Sequence, residues 1–306
     1  MKRLILNQVL AGFCVVLGAL TLVFFMVRLG SDPTAIILPQ DAPESARVSL
    51  RAELGLDRPL AVQYFDFVLK ALRGDLGTSY FDSTPVSKVV LQYLPNTLML
   101  AGTSFVVTLL IAIPLGTLAA VRRGRAIDSF VQAAAVFGTS IPGFWSGLML
   151  LQVFAVGLGW FPTYGSTGPS SIVLPTACLV IFLFPTIARL TRSSVLETLS
   201  QPYVETARAK GAGEFRVVAI HVMRNALIPI VVLAGIQLGG LLGGAVITEA
   251  VFAWPGIGTL AIQSISRSDY PVVQGVVIYA SLIYVAESVV TEILAASINP
   301  RLRGQQ

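Results

Sequence analysis

Side chains able to do chemistry are few in this sequence, and their placement excludes most of the reactions open to them. The only histidine, His221, lies in a polar stretch and not in the apolar runs, so a serine–histidine dyad within those runs would have no base. Cys14 and Cys178 stand singly inside apolar segments. They offer neither a disulfide framework nor a zinc-ligand spacing, and each reads as a small buried apolar residue. No G-x-x-x-x-G-K-[ST] run occurs, so the chain cannot bind a nucleotide in the P-loop manner, and any ATP has to be handled by a partner. Glu287 remains, a carboxyl inside the last apolar run, roughly 18 Å from that run's C-terminal end at 1.5 Å rise per residue. A carboxyl in such a place either lines a polar pathway or sits neutral and hydrogen-bonded to a neighbouring helix. Glu292 and Arg189 lie nearer a boundary, where snorkelling or mutual pairing is the ordinary explanation.

One polar stretch interrupts the apolar runs, "QPYVETARAKGAGEFRVVAIHVMRNALIP" at 201–229, and its pattern is that of a docking element for another protein. Ser200 can cap a first helix, Pro202 suits a first turn, and Arg208 and Lys210 fall in the last turn, where cations complement the helix dipole. Gly211 stops that helix. A second is expected over 214–224, with Phe215, Val218 and Val222 at three-to-four-residue spacing, until Pro229 opens the next apolar run. So short a helix pair has no large core of its own. Its apolar stripe must be buried by a partner or by the ends of neighbouring helices.

The surroundings of that stretch are those of a membrane. Hydrophobic residues make up 55% and charged ones only 12%, half the usual share, and mean hydropathy is +0.78. The net charge of +5 does not indicate nucleic acid, because the basic residues form no single patch. Six stretches are long enough to span at about 20 residues each: 9–29, 97–121, 130–158, 172–190, 228–250 and 272–298. The basic start resembles a signal peptide, yet its apolar run is longer than an h-region and no A-x-A site follows, so it reads as a retained first span.

Lys2 and Arg3, Arg122, Arg123 and Arg125, Arg208, Lys210, Arg216 and Arg224, and Arg301 and Arg303 all fall on one side of these spans. The positive-inside rule therefore places both termini and the polar stretch in the cytoplasm. On the outer side, Asp57 can cap a helix entered by Pro59, with an apolar face from Leu60 to Leu72 and a stop at Gly74. That face serves equally for packing on the spans or for contact with a delivered ligand or its carrier. In the fifth span Gly235, Gly239 and Gly243 form a small-xxx-small row for close helix approach, either within the chain or between subunits. The short apolar segment 256–265 reads as a surface or re-entrant helix.

"ETARAKG", with Glu205, Ala207 and Gly211, resembles the EAA motif of permease subunits in ABC importers, with Thr206 in place of the middle alanine. The resemblance extends over nearly the whole chain, through "LGLDRPLAVQYFDFV", "GDLGTS", "SIPGFW", "LGWFPTYG", "RNALIP", "EAVFAWPGIG", "DYPVVQG" and "INPRLR", to the dipeptide, oligopeptide and nickel permease family, and most to its glutathione and dipeptide members. It implies an all-helical, type I importer fold of six spans in the bacterial cytoplasmic membrane. Residues 1–95 would hold the first span and an extracytoplasmic segment, and 96–299 the transmembrane domain with the coupling helices at about 200–225.

The implied partners are a second similar permease, two cytoplasmic ATP-binding subunits that carry ATP and magnesium, and an extracytoplasmic solute-binding protein. The coupling role falls on Glu205, Ala207, Gly211 and the turn Ala212, Gly213, Glu214 and Phe215. Glu287 departs from the family pattern, where an apolar or amide residue is usual. The rival reading is a secondary transporter or channel that needs no ATPase, which would leave the docking helices unexplained; a membrane enzyme ranks behind both.

Overall fold

The computed structural model describes residues 2–29, 34–39 and 41–298. Arg301 and Arg303 lie outside the described residues. Among those described, the chain is helical, with one isolated bridge, Thr78 to Pro85, as its only strand-like pairing. Five helices are long and apolar enough to cross a membrane, or six if one bent pair counts as a single span. Two compact units are distinguishable: 98–254 with the chain from 286, and 2–97 with 255–285.

The first unit is built from the later part of α5 (Val86–Val121), α6 (Ala126–Ser140), α7 (Gly143–Leu150), α8 (Val173–Leu199), α9 (Pro202–Ala209), α10 (Glu214–Arg216), α11 (Met223–Val251) and the end of α13 (Tyr270–Ile298). The stretch expected to span over 130–158 is a bent pair, α6 followed by α7 and the π-helical turn Leu151–Gly157 that continues it, with 104° between the two arms. Pro142 sets the break. It holds φ −60°, ψ 136°, and Ile141 before it is driven out of the helical region to φ −95°, ψ 127°. The span expected over 172–190 runs on to Leu199 because Thr191, Ser194 and Thr198 are buried although polar. The hydroxyls of Thr191 and Thr198 are satisfied by the carbonyls of Ile187 and Ser194, which lets a polar segment stay helical in an apolar setting.

Close packing in this unit depends on glycines. A Cβ on Gly116 would lie 2.7 Å from the Ala188 carbonyl oxygen, and one on Gly138 would meet the Pro185 ring at 2.8 Å and the Ile181 carbonyl at 3.0 Å. Pro185 lacks the N–H that the Ile181 carbonyl would otherwise receive, so α6 closes over the one place where α8 cannot pair with itself. Gly235, on α11, packs against Thr291 of α13 in the same chain, and any side chain there would collide with it. Gly239 is buried in the same helix, which also contains Gly243. Gly235→Val should therefore destabilise the protein by about 1–3 kcal/mol through overpacking. Thermal unfolding of the purified protein, with Thr291→Ala in the same chain as the relieving change, checks this; no relief from the second substitution would contradict it.

The second unit holds α1 (Lys2–Leu29), α2 (Thr34–Ile37), α3 (Glu44–Glu53), α4 (Leu60–Leu72), the start of α5, α12 (Ile257–Ser266) and the first part of α13. Its core gathers Val86, Val90, Ile257, Leu260, Val272 and Val276. The Thr97 hydroxyl accepts the Ile257 N–H at 2.8 Å and the Asn96 amide donates to the Pro255 carbonyl, so α5 caps the short helix α12. Buried Asp269 accepts the Ser79 hydroxyl and the Tyr80 N–H, pinning the loop before α5. α4 has the expected limits and its stop at Gly74, φ +81°, but Asp57 is not its cap. Pro59 holds the N-cap position with no side-chain bond, since a helix entered by proline has one fewer N–H to satisfy.

Candidate coupling site

The polar stretch folds back on itself in a geometry set by one glycine. α9 ends at Lys210, and Gly211 follows at φ +83°, a left-handed conformation that costs an ordinary residue about 1–2 kcal/mol. The Gly211 N–H then reaches the Arg208 carbonyl at 2.9 Å and the Ala212 N–H reaches that of Ala207 at 3.2 Å, the paired bonds of a Schellman stop. Ser200 takes no part in the start of α9. Gln201 is the N-cap residue, and the Ser200 hydroxyl donates to the Glu197 carbonyl, closing α8 instead.

The second helix is not the separate one expected over 214–224. α10 passes through a π-helical turn, Val217–Val222, directly into α11, and Pro229 lies inside that helix. Proline is tolerated in membrane helices where neighbouring groups compensate, so it marks no boundary here. The π turn also changes which residues share a face: its i to i+5 period aligns Val217 with Val222, and both are fully buried. Phe215, assigned to the same stripe by 3.6-residue spacing, is left 89% exposed.

Two ties hold the halves together. Arg208 donates through Nε and Nη2 to the Glu214 carboxylate at 2.7 and 3.3 Å, across the glycine turn. The hydrogen bond to Glu214 raises the Arg208 pKa, so its guanidinium stays cationic. Exposed pairs of this sort add little stability, and its effect is to fix the turn. Behind it, the Asn225 amide donates to the Tyr203 hydroxyl at 2.7 Å. Neither tie was legible in helical spacing, because each joins residues across a bend; the one available signal was opposite charge on either side of Gly211.

Beneath these ties, Val204, Ala207, Val217, Val222 and Ala226 pack with Ala120 and Val195 from the ends of α5 and α8. Of the residues assigned to coupling, Ala207 is thus part of the base. Ala212 is half-buried, and Glu205, Gly211, Gly213, Glu214 and Phe215 face outward. Thr206 donates its hydroxyl to the Pro202 carbonyl within α9, so the departure from alanine is absorbed by the helix's own backbone. The result is an exposed tip of mixed charge, with Phe215 on it, on an apolar footing that continues into three long helices.

Residues 112–304 match the family of binding-protein-dependent transport system inner membrane components, and residues 1–101 match the N-terminal region of the same membrane components. The chain belongs to this family. The glutathione transport system permease protein GsiC of Salmonella typhimurium is 40% identical over 304 residues, 99% of each chain, and that of Escherichia coli K12 is 40% identical over 283 residues, 92% of each. Among solved structures, the MetNI methionine ABC transporter in inward-facing conformations matches with a TM-score of 0.58 at 20% identity, covering 69% of this chain and 96% of that one. An amino acid ABC transporter matches with a TM-score of 0.56 at 14% identity, covering 69% and 94%. At these identities the structures establish the fold. The protein is a multi-pass inner membrane permease of an ABC importer, and it works with an ATPase and other subunits.

A cavity of about 480 Å³ in the crook of α6 and α7 is lined by Phe137, Trp145, Met149 and Phe184, and its one hydroxyl, on Ser146, donates to the Gly143 carbonyl. Glu287 is half-buried and accepts the Thr291 hydroxyl at 2.6 Å, one turn along α13. Gly235 faces the same threonine, so Thr291 touches both the Glu287 carboxyl and Gly235 of α11. Arg189 does not pair with Glu292; its Nε donates to the Pro185 carbonyl. Two residues that the sequence reading passed over, Asp128 and Arg192, form a two-bond ion pair at 2.5 and 2.8 Å between the first turn of α6 and α8, and Asp128 also accepts the Gly124 N–H.

Proposed function

We propose that this permease forms half of the pathway by which glutathione or similarly short peptides cross the bacterial cytoplasmic membrane, driven by ATP hydrolysis in partner subunits. The identity of 40% over 99% of both chains to a glutathione transport permease carries this reading. On this proposal the chain has six spans with α6 and α7 counted as one, and both termini are cytoplasmic. Its segment 1–95 combines the first span with an extracytoplasmic part, while 96–299 is the translocating domain. It pairs with a second similar permease, two cytoplasmic subunits that bind ATP and magnesium, and an extracytoplasmic solute-binding protein that selects the substrate.

Glu205, Gly211, Gly213, Glu214 and Phe215 present the docking surface to an ATPase, with Ala207 and Ala212 holding it to the membrane helices. Because the tip is anchored on α8 and α11 through a buried apolar base, motion of the ATPase is passed to those helices as motion of a rigid lever. Phe215 has the character of an interface anchor, a large aromatic ring held in water with no partner in its own chain's core. Phe215→Ala should weaken retention of the ATPase by about 2 kcal/mol, read as loss of the ATPase during affinity purification in detergent. Full retention would move the docking surface elsewhere.

Glu287 is proposed to line the pathway. Glu287→Gln should insert normally and alter uptake; uptake equal to that of the parent would remove it from the pathway. The function as a whole is tested by reconstituting the assembled transporter with its binding protein and measuring uptake of labelled glutathione and dipeptides with and without ATP. Uptake that persists without the ATPase would overturn the reading in favour of a secondary transporter.

A further inference from the structure

The extracytoplasmic helix α4 presents three distinct faces. At about 100° per residue, Tyr64 and Phe67 share one face, Phe65, Leu69 and Leu72 a second, and Gln63, Asp66 and Lys70 a third. The first face is fastened to α1. The Tyr64 hydroxyl is 2.7 Å from that of Thr21, its ring stacks on Phe25 at 6.2 Å and meets Phe24 edge-on at 5.4 Å, and Phe67 lies 5.7 Å from Phe24. Thr21, Phe24 and Phe25 belong to the last turns of the apolar span Leu10–Val27, the farthest within roughly 9 Å of its end at 1.5 Å per residue. α4 is therefore held at the level of a membrane boundary, where aromatic side chains concentrate.

On the third face Asp66 and Lys70 are exposed, while Gln63 is buried with its amide donating to the Leu56 and Arg58 carbonyls. Gln63, Asp66 and Lys70 line a cavity of about 260 Å³ together with Glu53, Arg58 and Asp75. The second face is turned well away from that cavity and is wholly apolar, with Phe65 64%, Leu69 52% and Leu72 68% exposed. On α1, Leu22, Phe25 and Met26 are also exposed, and the Phe25–Tyr64 stack joins their surface to that of α4. A solute-binding protein that docks and departs would leave this ridge in water whenever it is undocked. Hydrocarbon around the apolar span Leu10–Val27, whose exposed side chains adjoin the ridge, would cover it without that cost.

We propose that α4 is an interfacial anchor whose Phe65, Leu69 and Leu72 ridge is immersed in the acyl chains of the outer leaflet, leaving its polar face toward the extracytoplasmic water. The choice of leaflet rests on the topology proposed above; the anchoring does not.

Spin labels on Phe65→Cys, Leu69→Cys and Asp66→Cys, each in a Cys14→Ser and Cys178→Ala background of the assembled transporter in phospholipid nanodiscs, provide the test. Collision with oxygen should exceed collision with a water-soluble nickel chelate at the first two labels, and the order should reverse at the third. Equal access of the nickel chelate to all three would overturn the anchor, and so would labels at 65 and 69 shielded from both relaxers, which would signify a protein cover. A membrane-impermeant maleimide should modify Asp66→Cys in intact spheroplasts. Modification only in inverted vesicles would overturn the leaflet, and the topology with it, while the depth measurement still decides anchoring.

Discussion

Gly211→Pro is expected to abolish ATP-driven uptake while leaving the chain in the membrane. Proline fixes φ near −65°, whereas the chain needs +83° at this position, and it removes the N–H that closes α9 on the Arg208 carbonyl. Without that turn Arg208 cannot reach Glu214, and α10 with Phe215 is no longer held against the end of α9. No atom lies within 4 Å of a Cβ built on Gly211, so the effect is one of backbone conformation and not of size. Gly211→Val should therefore also fail, losing about 1–2 kcal/mol, close to a tenfold change in a coupled equilibrium, while Gly211→Asn should retain most activity because asparagine tolerates the left-handed region. Uptake and ATPase co-purification measured across the three variants decide the matter. If the proline variant kept both, the coupling assignment would be wrong.

Asp128→Ala should be the most destabilising of the single substitutions considered. Asp128 is buried, and Arg192 is largely so; removing the carboxylate leaves a guanidinium with no counter-charge and the Gly124 N–H with no acceptor. Breaking a buried pair in this way costs about 3 kcal/mol, whereas replacing both members with apolar side chains of similar volume is often close to neutral. Asp128→Leu combined with Arg192→Leu should accordingly recover much of the thermal stability lost in Asp128→Ala, as read from unfolding of the purified protein. A double variant no more stable than the single one would show that the loss in Asp128→Ala does not come from the orphaned guanidinium. The pair fixes the first turn of α6 to α8 one turn before Val195, which packs in the base of the proposed coupling turn, so substrate-stimulated ATPase activity should fall in parallel.

Much of this permease was legible in its sequence because the membrane imposes simple rules. Every backbone polar group must be satisfied within a helix, so apolar length locates spans, and glycine with cations before it locates a helix end. Hence the positions of α1, α4, α9, α12 and α13 and the stop at Gly211 follow from composition and periodicity, and the motif "ETARAKG" leads to the family. Periodicity failed where the backbone departs from 3.6 residues per turn. At Val217–Val222 a π turn buried Val217 and expelled Phe215, and at Ile141–Pro142 a span that reads as continuous is bent by 104°.

Contacts between residues far apart in the chain left no local trace either. Asp128 and Arg192 are separated by 64 positions, Ser79 and Asp269 by 190, and Gly235 meets Thr291 across two helices. The sequence by itself determined that this is a helical membrane permease with a polar helix–turn–helix stretch stopped at Gly211, since burial pattern, charge and motif are properties of consecutive residues. Only the tertiary structure decided which of those residues are footing and which are surface, because that depends on which helix ends meet beneath the turn.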